Sequence, residues 1–387
     1  MDSPHSSDFS PRSSVSNFAD DEHDLASVES VPSTSRPASV YSYHSSVDGQ
    51  VMLKDVYGRT INNTSDHYGL PGTLESFCSS FAALTDGCPA VPWAADPAEH
   101  ARLDIQHLML KTKLNGLFVP PLPVRRALAP RQSSTPAILD LGTGSGSWAI
   151  DMAKLFPHVN VVGLDLVPAN LNSLPPLNCR FECDDINLGL LHYKSSFDVI
   201  HARCIALGIE DYPRFLSEVV EVLRPGGIYL AGAGDMQLYN EDRSPVVLPE
   251  DEDDPKYSWM VRYLKAMFEA MENQGSNIKS YPHIGRWIRE MGDEWGDTGE
   301  KVYWVALGPW EEGANGRDRR ASELMRQNFL GLLQSARPLI LSHGYFEASV
   351  DRWIKKAQEE MNAMRRRLYV KWMFYWAIKP GSSLDQL

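Results

Sequence analysis

Cysteine is scarce in this chain of 387 residues, with five in all, at positions 78, 88, 179, 183 and 204. An odd, scattered set is not a disulfide framework, and Cys179 with Cys183 is a lone Cys-x-x-x-Cys lacking the second ligand pair of a zinc site. Free thiols in a reducing compartment, cytoplasmic or nuclear, are expected, with no metal. No apolar run approaches the ~20 residues that span a bilayer, and the first residues carry no apolar signal core, so no membrane association is expected. No internal repeat is present. Basic clusters are missing too. The net charge of −13 resides almost wholly in two segments: residues 1–50, with eight acidic and two basic residues, and 241–254, with seven and one. The rest is close to neutral, which argues against nucleic-acid binding. Arg365, Arg366 and Arg367 form the densest basic run, expected at a solvated helix end.

What is present falls into three parts. Residues 1–50 are rich in Ser, Asp, Glu and Pro and poor in large apolar residues, so they cannot offset their ordering entropy and are expected to be disordered. Ser3-Pro4 and Ser10-Pro11 are candidate phosphorylation sites there. Residues 51–130 read as an N-terminal helical segment, with Leu103, His107, Leu110 and Leu114 at helical spacing and Gly116 as terminator. From 131 to 387 short apolar runs alternate with helical segments, the pattern of an α/β domain with a largely parallel sheet. An acidic loop and helices over 257–274 and 283–292 form an insertion at about 241–300. A strand over 301–308 follows, then a helix at about 321–336 and another opened by Ser349. A terminal strand closes the chain over 368–380.

The stretch 138-ILDLGTGSGSWAI-150 organises this domain. Ala137 to Leu141 is a short strand, and Ala149, Met152, Ala153 and Phe156 then recur with helical period before Pro157. The glycines therefore occupy a strand-to-helix turn, where missing Cβ atoms permit a tight bend and let a ligand touch the backbone. The helix start adds free N–H groups and a positive dipole end. A dinucleotide fingerprint would place its third small residue deeper. Here Ser147 stands at that spacing, while the third glycine comes early, at Gly146. A hydride-transfer site also lacks a good Tyr-Lys pair, because Tyr375 and Lys379 lie in a strand-like run.

The string Asp140-x-Gly142-x-Gly144-x-Gly146 resembles motif I of the class I S-adenosylmethionine-dependent methyltransferases. The resemblance implies a Rossmann-like, mostly parallel seven-stranded sheet with helical additions, and S-adenosyl-L-methionine as cofactor. Later landmarks follow in order. Asp165 ends the next strand, where an acid accepts ribose hydroxyls, and Leu166 follows it. Asp184, Asp185 and Ile186 follow the third strand, where this family clasps adenine. The fourth strand, 197-FDVIHAR-203, ends at the methionine side, and a Pro-Gly-Gly turn precedes a strand at 228–231. The implied cofactor site is thus Asp140, Gly142, Thr143, Gly144, Gly146, Asp165, Leu166, Asp184, Asp185, Ile186 and Ala202. The strings 57-YGRTINNTSDHYGLP-71, 96-DPAEHARLDIQH-107, 201-HARCIALGIEDYPRFL-216 and 307-LGPW-310 are similar to fungal methyltransferases of the LaeA type, regulators and biosynthetic enzymes of secondary metabolism. One departure stands out: 228-IYLAGAGD-235 has no acid at the strand end before Asp235.

A sulfonium activates its own methyl group, so catalysis needs mainly a positioned acceptor, with a base where the acceptor is protonated. His201 is the candidate base, and Tyr57, Arg59, Tyr68 and His107 are candidates to fold over the site. Two readings stay open for Trp259, Met260, Met267, Met271, Trp287, Met291, Trp295, Trp304 and Trp310: core packing, which is favoured, and the lining of an apolar pocket. The leading expectation is methyl transfer to a small molecule. The alternatives are a regulatory cofactor-binding module acting through protein partners, and a protein methyltransferase.

Overall fold

In the computed structural model, which describes residues 53–56, 59–62 and 97–381 apart from 168, 170, 172, 173 and 279, the apolar runs become one seven-stranded sheet. The Ser-rich segment, Tyr57, Tyr68, Cys78 and Cys88 lie outside the described residues. A short antiparallel pair comes first, β1 (Leu53–Val56) and β2 (Arg59–Asn62). The sheet comprises β3 (Ala137–Leu141), β4 (Asn160–Asp165), β5 (Cys179–Cys183), β6 (Phe197–Arg203), β7 (Leu223–Tyr239), β8 (Thr298–Ala306) and β9 (Tyr369–Ile378). Their order is β5-β4-β3-β6-β7-β9-β8. Neighbours from β5 to β7 run parallel, and β9 is antiparallel to both β7 and β8. This is the mostly parallel sheet that the sequence pattern predicts. The chain lays down β3, β4 and β5 in one direction, then returns to β6 on the other flank of β3. That reversal opens a crevice at the carboxyl ends of β3 and β6.

The helices are α1 (Pro97–Leu114), α2 (Pro121–Ala127), α3 (Ser147–Leu155), α4 (Tyr212–Val222), α5 (Trp259–Asn273), α6 (Ile284–Glu290), α7 (Gly316–Ser335), α8 (Arg337–Ser342) and α9 (Glu347–Ala363). None of the described helices is long and apolar enough to cross a membrane. Because strand side chains alternate, Ile138, Val161, Val199 and Ile228 pack on one face with Trp148 and Met152 of α3. Leu139, Val162, Ile200 and Tyr229 pack on the other with Leu216 and Val219 of α4. A third apolar core joins α1, α5, α7, α8 and α9 to the ends of β7 and β9. The helical cover therefore draws on 316–363 as well as on the 241–300 insertion read from sequence. Stripes such as Leu324, Met325, Phe329 and Leu333 on α7 find their apolar partner in Met260, Tyr263 and Met267 of α5. Glu360 of α9 also caps α5, accepting from Ser258 Oγ at 2.7 Å and from the Trp259 N–H at 2.7 Å.

Strand β7 runs on to Tyr239, well beyond the expected end at Ala231. Gly232 and Gly234 are poor strand residues on their own, but rings from β9 supply what they lack. A Cβ at position 232 would stand 2.9 Å from the Phe374 ring, and one at 234 would stand 3.4 Å from Trp372. The glycines in 228-IYLAGAGD-235 are seats for these two aromatics.

At the amino end of β6, away from the crevice, Asp198 is buried and accepts three hydrogen bonds. They come from Arg131 at 2.6 Å, Arg224 at 2.6 Å and the Ala137 N–H at 2.8 Å. Asp198→Ala removes the buried acceptor that two arginines and a strand N–H share and should cost about 3 kcal/mol of stability. A lower urea midpoint at unchanged m-value is the expected readout, and an unchanged midpoint would contradict the assignment.

Candidate active site

The site is built on the turn between β3 and α3. Gly142, Gly144 and Gly146 have φ of 64°, 57° and 77°, a left-handed conformation that costs other residues ~1–2 kcal/mol each. From sequence, the missing Cβ atoms were to admit a ligand, but the protein itself fills those spaces. A Cβ at 142 would lie 2.3 Å from Ile205 Cγ2, at 144 it would lie 3.0 Å from Leu103 Cδ1, and at 146 it would lie 2.8 Å from Phe181 Cζ. The glycines let three walls close on the turn.

Carboxylates then hold it. Asp140, buried at the end of β3, accepts the Thr143 hydroxyl proton at 2.7 Å and bonds Nδ1 of His201 at 2.7 Å. His201 is its cross-strand neighbour on β6, and its ring stacks on Trp148 at 3.7 Å. Asp165, at the end of β4, accepts from the Gly144 N–H at 2.7 Å. From above, Asp104 of α1 accepts from Ser147 Oγ at 2.5 Å, while His107 Nε2 and Lys111 Nζ reach Asp151 of α3 at 3.0 Å and 2.6 Å. Residues 97–107 of the segment distinctive in sequence are thus the roof over the glycine turn. On the same helix Glu99 and Arg102 form a buried pair, and Arg102 also donates to Asn328 of α7 at 2.7 Å.

Under this roof lies a cavity of about 320 Å³. Asp140, Gly142, Thr143, Gly144, Asp165, Leu166, Asp184, Asp185, Ile186 and His201 all line it. Gly146 and Ala202 stand outside that wall: Gly146 starts α3 and backs onto Phe181, and Ala202 is buried in the core on the α4 face. His107 faces Asp151 and a small neighbouring void that it shares with His201 and Arg203. Arg59 falls in β2, whereas Tyr57 and Tyr68 are not among the described residues. Asp235 lines the cavity and accepts from the Tyr239 hydroxyl at 2.5 Å.

Of the nine Trp and Met residues weighed as lid, Met267 and Met271 reach the cavity. The others include packing residues such as Trp287, stacked on Tyr212, and Trp295, stacked on Tyr229. Sequence reasoning missed Glu99, Arg102, Arg203, Cys204, Phe329, Leu332 and Trp372 in the wall. Arg203 had a signal, since it lies two residues after His201 on one strand and therefore shares its face. Cys204, with φ of 61°, turns the chain sharply at the cavity edge and brings Ile205 onto Gly142.

Burial sets the protonation pattern. It depresses the pKa of His201 and of His107 below the usual histidine value despite their carboxylate partners. It raises Asp165 and Asp184, the former against donation by backbone N–H groups. Asp151, bonded by His107 and Lys111, is drawn down to about 2.

Residues 132–269 match the model of a family described as a methyltransferase domain. The chain is 31% identical over 251 residues to the secondary metabolism regulator laeA of Coprinopsis cinerea, a match covering 64% of this chain and 60% of that protein. It is 31% identical over 240 residues to methyltransferase pytC of Aspergillus terreus, covering 62% and 67%. Methyltransferase str2 of Strobilurus tenacellus is 26% identical over 294 residues, covering 74% and 95%. The chain belongs to the LaeA-like class I S-adenosylmethionine-dependent methyltransferases.

The wall residues fit that cofactor. Asp165 is a half-buried carboxylate with backbone donors and no ion pair to a described residue, and vicinal hydroxyls would satisfy it further. Asp184 and Asp185 lie beside apolar Ile186 at the end of β5, a combination suited to the polar edge and flat face of a purine.

Two outcomes are expected. S-adenosylhomocysteine at ~100 times its Kd should stabilise the fold by ~2.7 kcal/mol. Asp165→Ala should lose most of the resulting rise in Tm while still folding, and a retained rise would remove Asp165 from the ribose site. The second outcome concerns pH. As pH falls below about 6.5, the unfolded chain takes up protons that the two buried histidines refuse, so acidification from about 7 to 5.5 lowers stability. His107→Gln keeps a donor toward Asp151 and should flatten that decline in Tm; an unaltered slope would exclude His107 as a source.

Proposed function

We propose that the protein transfers a methyl group from S-adenosylmethionine to a small-molecule acceptor. The observation that carries this reading is a single cavity running from the glycine turn to an apolar chamber under α5 and α7, lined by Leu264, Met267, Phe268, Phe329 and Leu332. Asp165 would take the ribose hydroxyls, Asp184, Asp185 and Ile186 the adenine, and the backbone of Gly142 to Gly144 the amino-acid end. Bound there, S-adenosylmethionine supplies a methyl group already activated by its sulfonium. The chain's own part is to exclude water and hold the acceptor in line, a contribution worth about 7–11 kcal/mol in favourable cases.

His201 is the proposed base. Asp140 takes the Nδ1 proton, which leaves Nε2 as an acceptor, and burial keeps the ring neutral. Its enclosure between Asp140 and Trp148 also supports a purely structural role, in which the ring fixes β3 against β6. The free thiols of Cys179, Cys183 and Cys204 suit the reducing cytoplasm or nucleus.

A second reading, a cofactor-binding regulator that acts through protein partners, is favoured by the likeness to a protein named as a secondary metabolism regulator. Incubation with methyl-labelled S-adenosylmethionine and a fungal extract separates the two. Label in extractable small molecules is the expected result. Label in protein alone would favour protein methylation, and tight cofactor binding without transfer would favour the regulator.

A further inference from the structure

The cavity has two unlike ends. Asp165, Asp184 and Asp185 stand at the carboxyl ends of β4 and β5, whereas Leu264, Met267, Phe268, Phe329, Leu332 and Trp372 close the far side, beyond β6. Neighbouring strands lie about 4.8 Å apart, so β6 is roughly 10 Å from β4. The acids of the wall have donors on the protein itself. Asp140 has Thr143 and His201, Glu99 has Arg102, Asp235 has Tyr239, and Asp165 has the Gly144 N–H. Arg203, at the end of β6, makes no hydrogen bond or ion pair with a described residue. Its stem lies against the gap left by Gly232, beside the Phe374 ring, on the side of β6 that faces β7 and β9. Burial disfavours its charge, and Asp140, already bonded to Thr143 and His201, offsets this only through space. Trp372, 2% exposed, contributes to the same wall and has an indole N–H without a partner.

A desolvated guanidinium offers a planar fork of donors that matches a carboxylate. We propose that Arg203 is the receptor for a carboxylate on the methyl acceptor. The acceptor is then an apolar, largely flat small molecule bearing an acid group. This inference rests on the reading of the cavity as a methyltransferase site. The amino-acid end of the cofactor also carries a carboxylate. The place of Arg203 at the border with β7, next to Gly232 and Phe374, assigns it to the acceptor.

The test uses the full chain saturated with S-adenosylhomocysteine and two probes of equal size, 2-naphthoate and 2-naphthamide, followed by calorimetry. Naphthoate should bind the wild type at least ten-fold more tightly than the amide. Arg203→Met should abolish that preference and leave S-adenosylhomocysteine affinity within about three-fold, which also shows that the variant is folded. Arg203→Lys, which keeps the charge but not the fork, should retain a reduced preference. Equal binding of the two probes to the wild type, binding of neither, or a preference that survives in Arg203→Met overturns the proposal. So does a ten-fold loss of S-adenosylhomocysteine affinity in Arg203→Met while 5′-methylthioadenosine, which lacks the amino-acid end, binds both proteins equally, because the cofactor is then the source of the carboxylate. If the wild type binds no S-adenosylhomocysteine at all, the methyltransferase reading itself fails and this inference falls with it.

Discussion

Carboxylates reach the turn at residues 142–146 from three directions. Asp140 lies beneath it and is shared between Thr143 and His201, Asp165 comes from the neighbouring strand to the Gly144 N–H, and Asp104 comes from the roof to Ser147. Hydrogen bonds to charged groups are worth about 1.5–3 kcal/mol each, enough to hold an irregular turn in one geometry. Glycine makes that geometry accessible, because left-handed positions at 142, 144 and 146 would each strain any other residue. The same spots are also where Ile205, Leu103 and Phe181 press in. The turn is therefore determined by charge and by close packing together, and the cavity wall inherits its shape from it.

Helix α1 extends this hold to the rest of the molecule. Through Asp104, His107 and Lys111 it is fastened to α3. Through Arg102 with Asn328, and through Lys113 with Asp318 at 2.8 Å, it is fastened to α7. The glycine turn and the apolar cover thus share one element, and Glu360 ties α5 to α9 within that cover. Such an enclosure suits methyl transfer, where shielding from water strengthens every electrostatic contact with a cationic centre.

The parallel half of the sheet was legible because β3, β4 and β6 are largely buried on both faces and read as continuous apolar runs between turn signals. β3 and β6 match their predicted bounds, and most of the family-implied site residues line the cavity. The extension of β7 was not legible, since Gly232 and Gly234 read as strand breakers until Phe374 and Trp372 are laid over them. Nor was the division of the tryptophans between core and cavity. A bulky apolar residue at helical spacing looks the same from sequence whether it faces a cavity or a sheet.

By itself, the sequence determined the class of fold, the position of the glycine turn and the order of acids along the strand ends. These depend on local periodicity and on residues within about twenty positions of one another. The tertiary structure alone decided which charged groups neutralise each other and which is left over. Arg102 meets Asn328 across 226 positions, and Asp140 meets His201 across 61, while Arg203 meets no such partner among the described residues. Counter-ion pairing depends on distances of a few ångströms between segments far apart in the chain, and no local pattern encodes those distances.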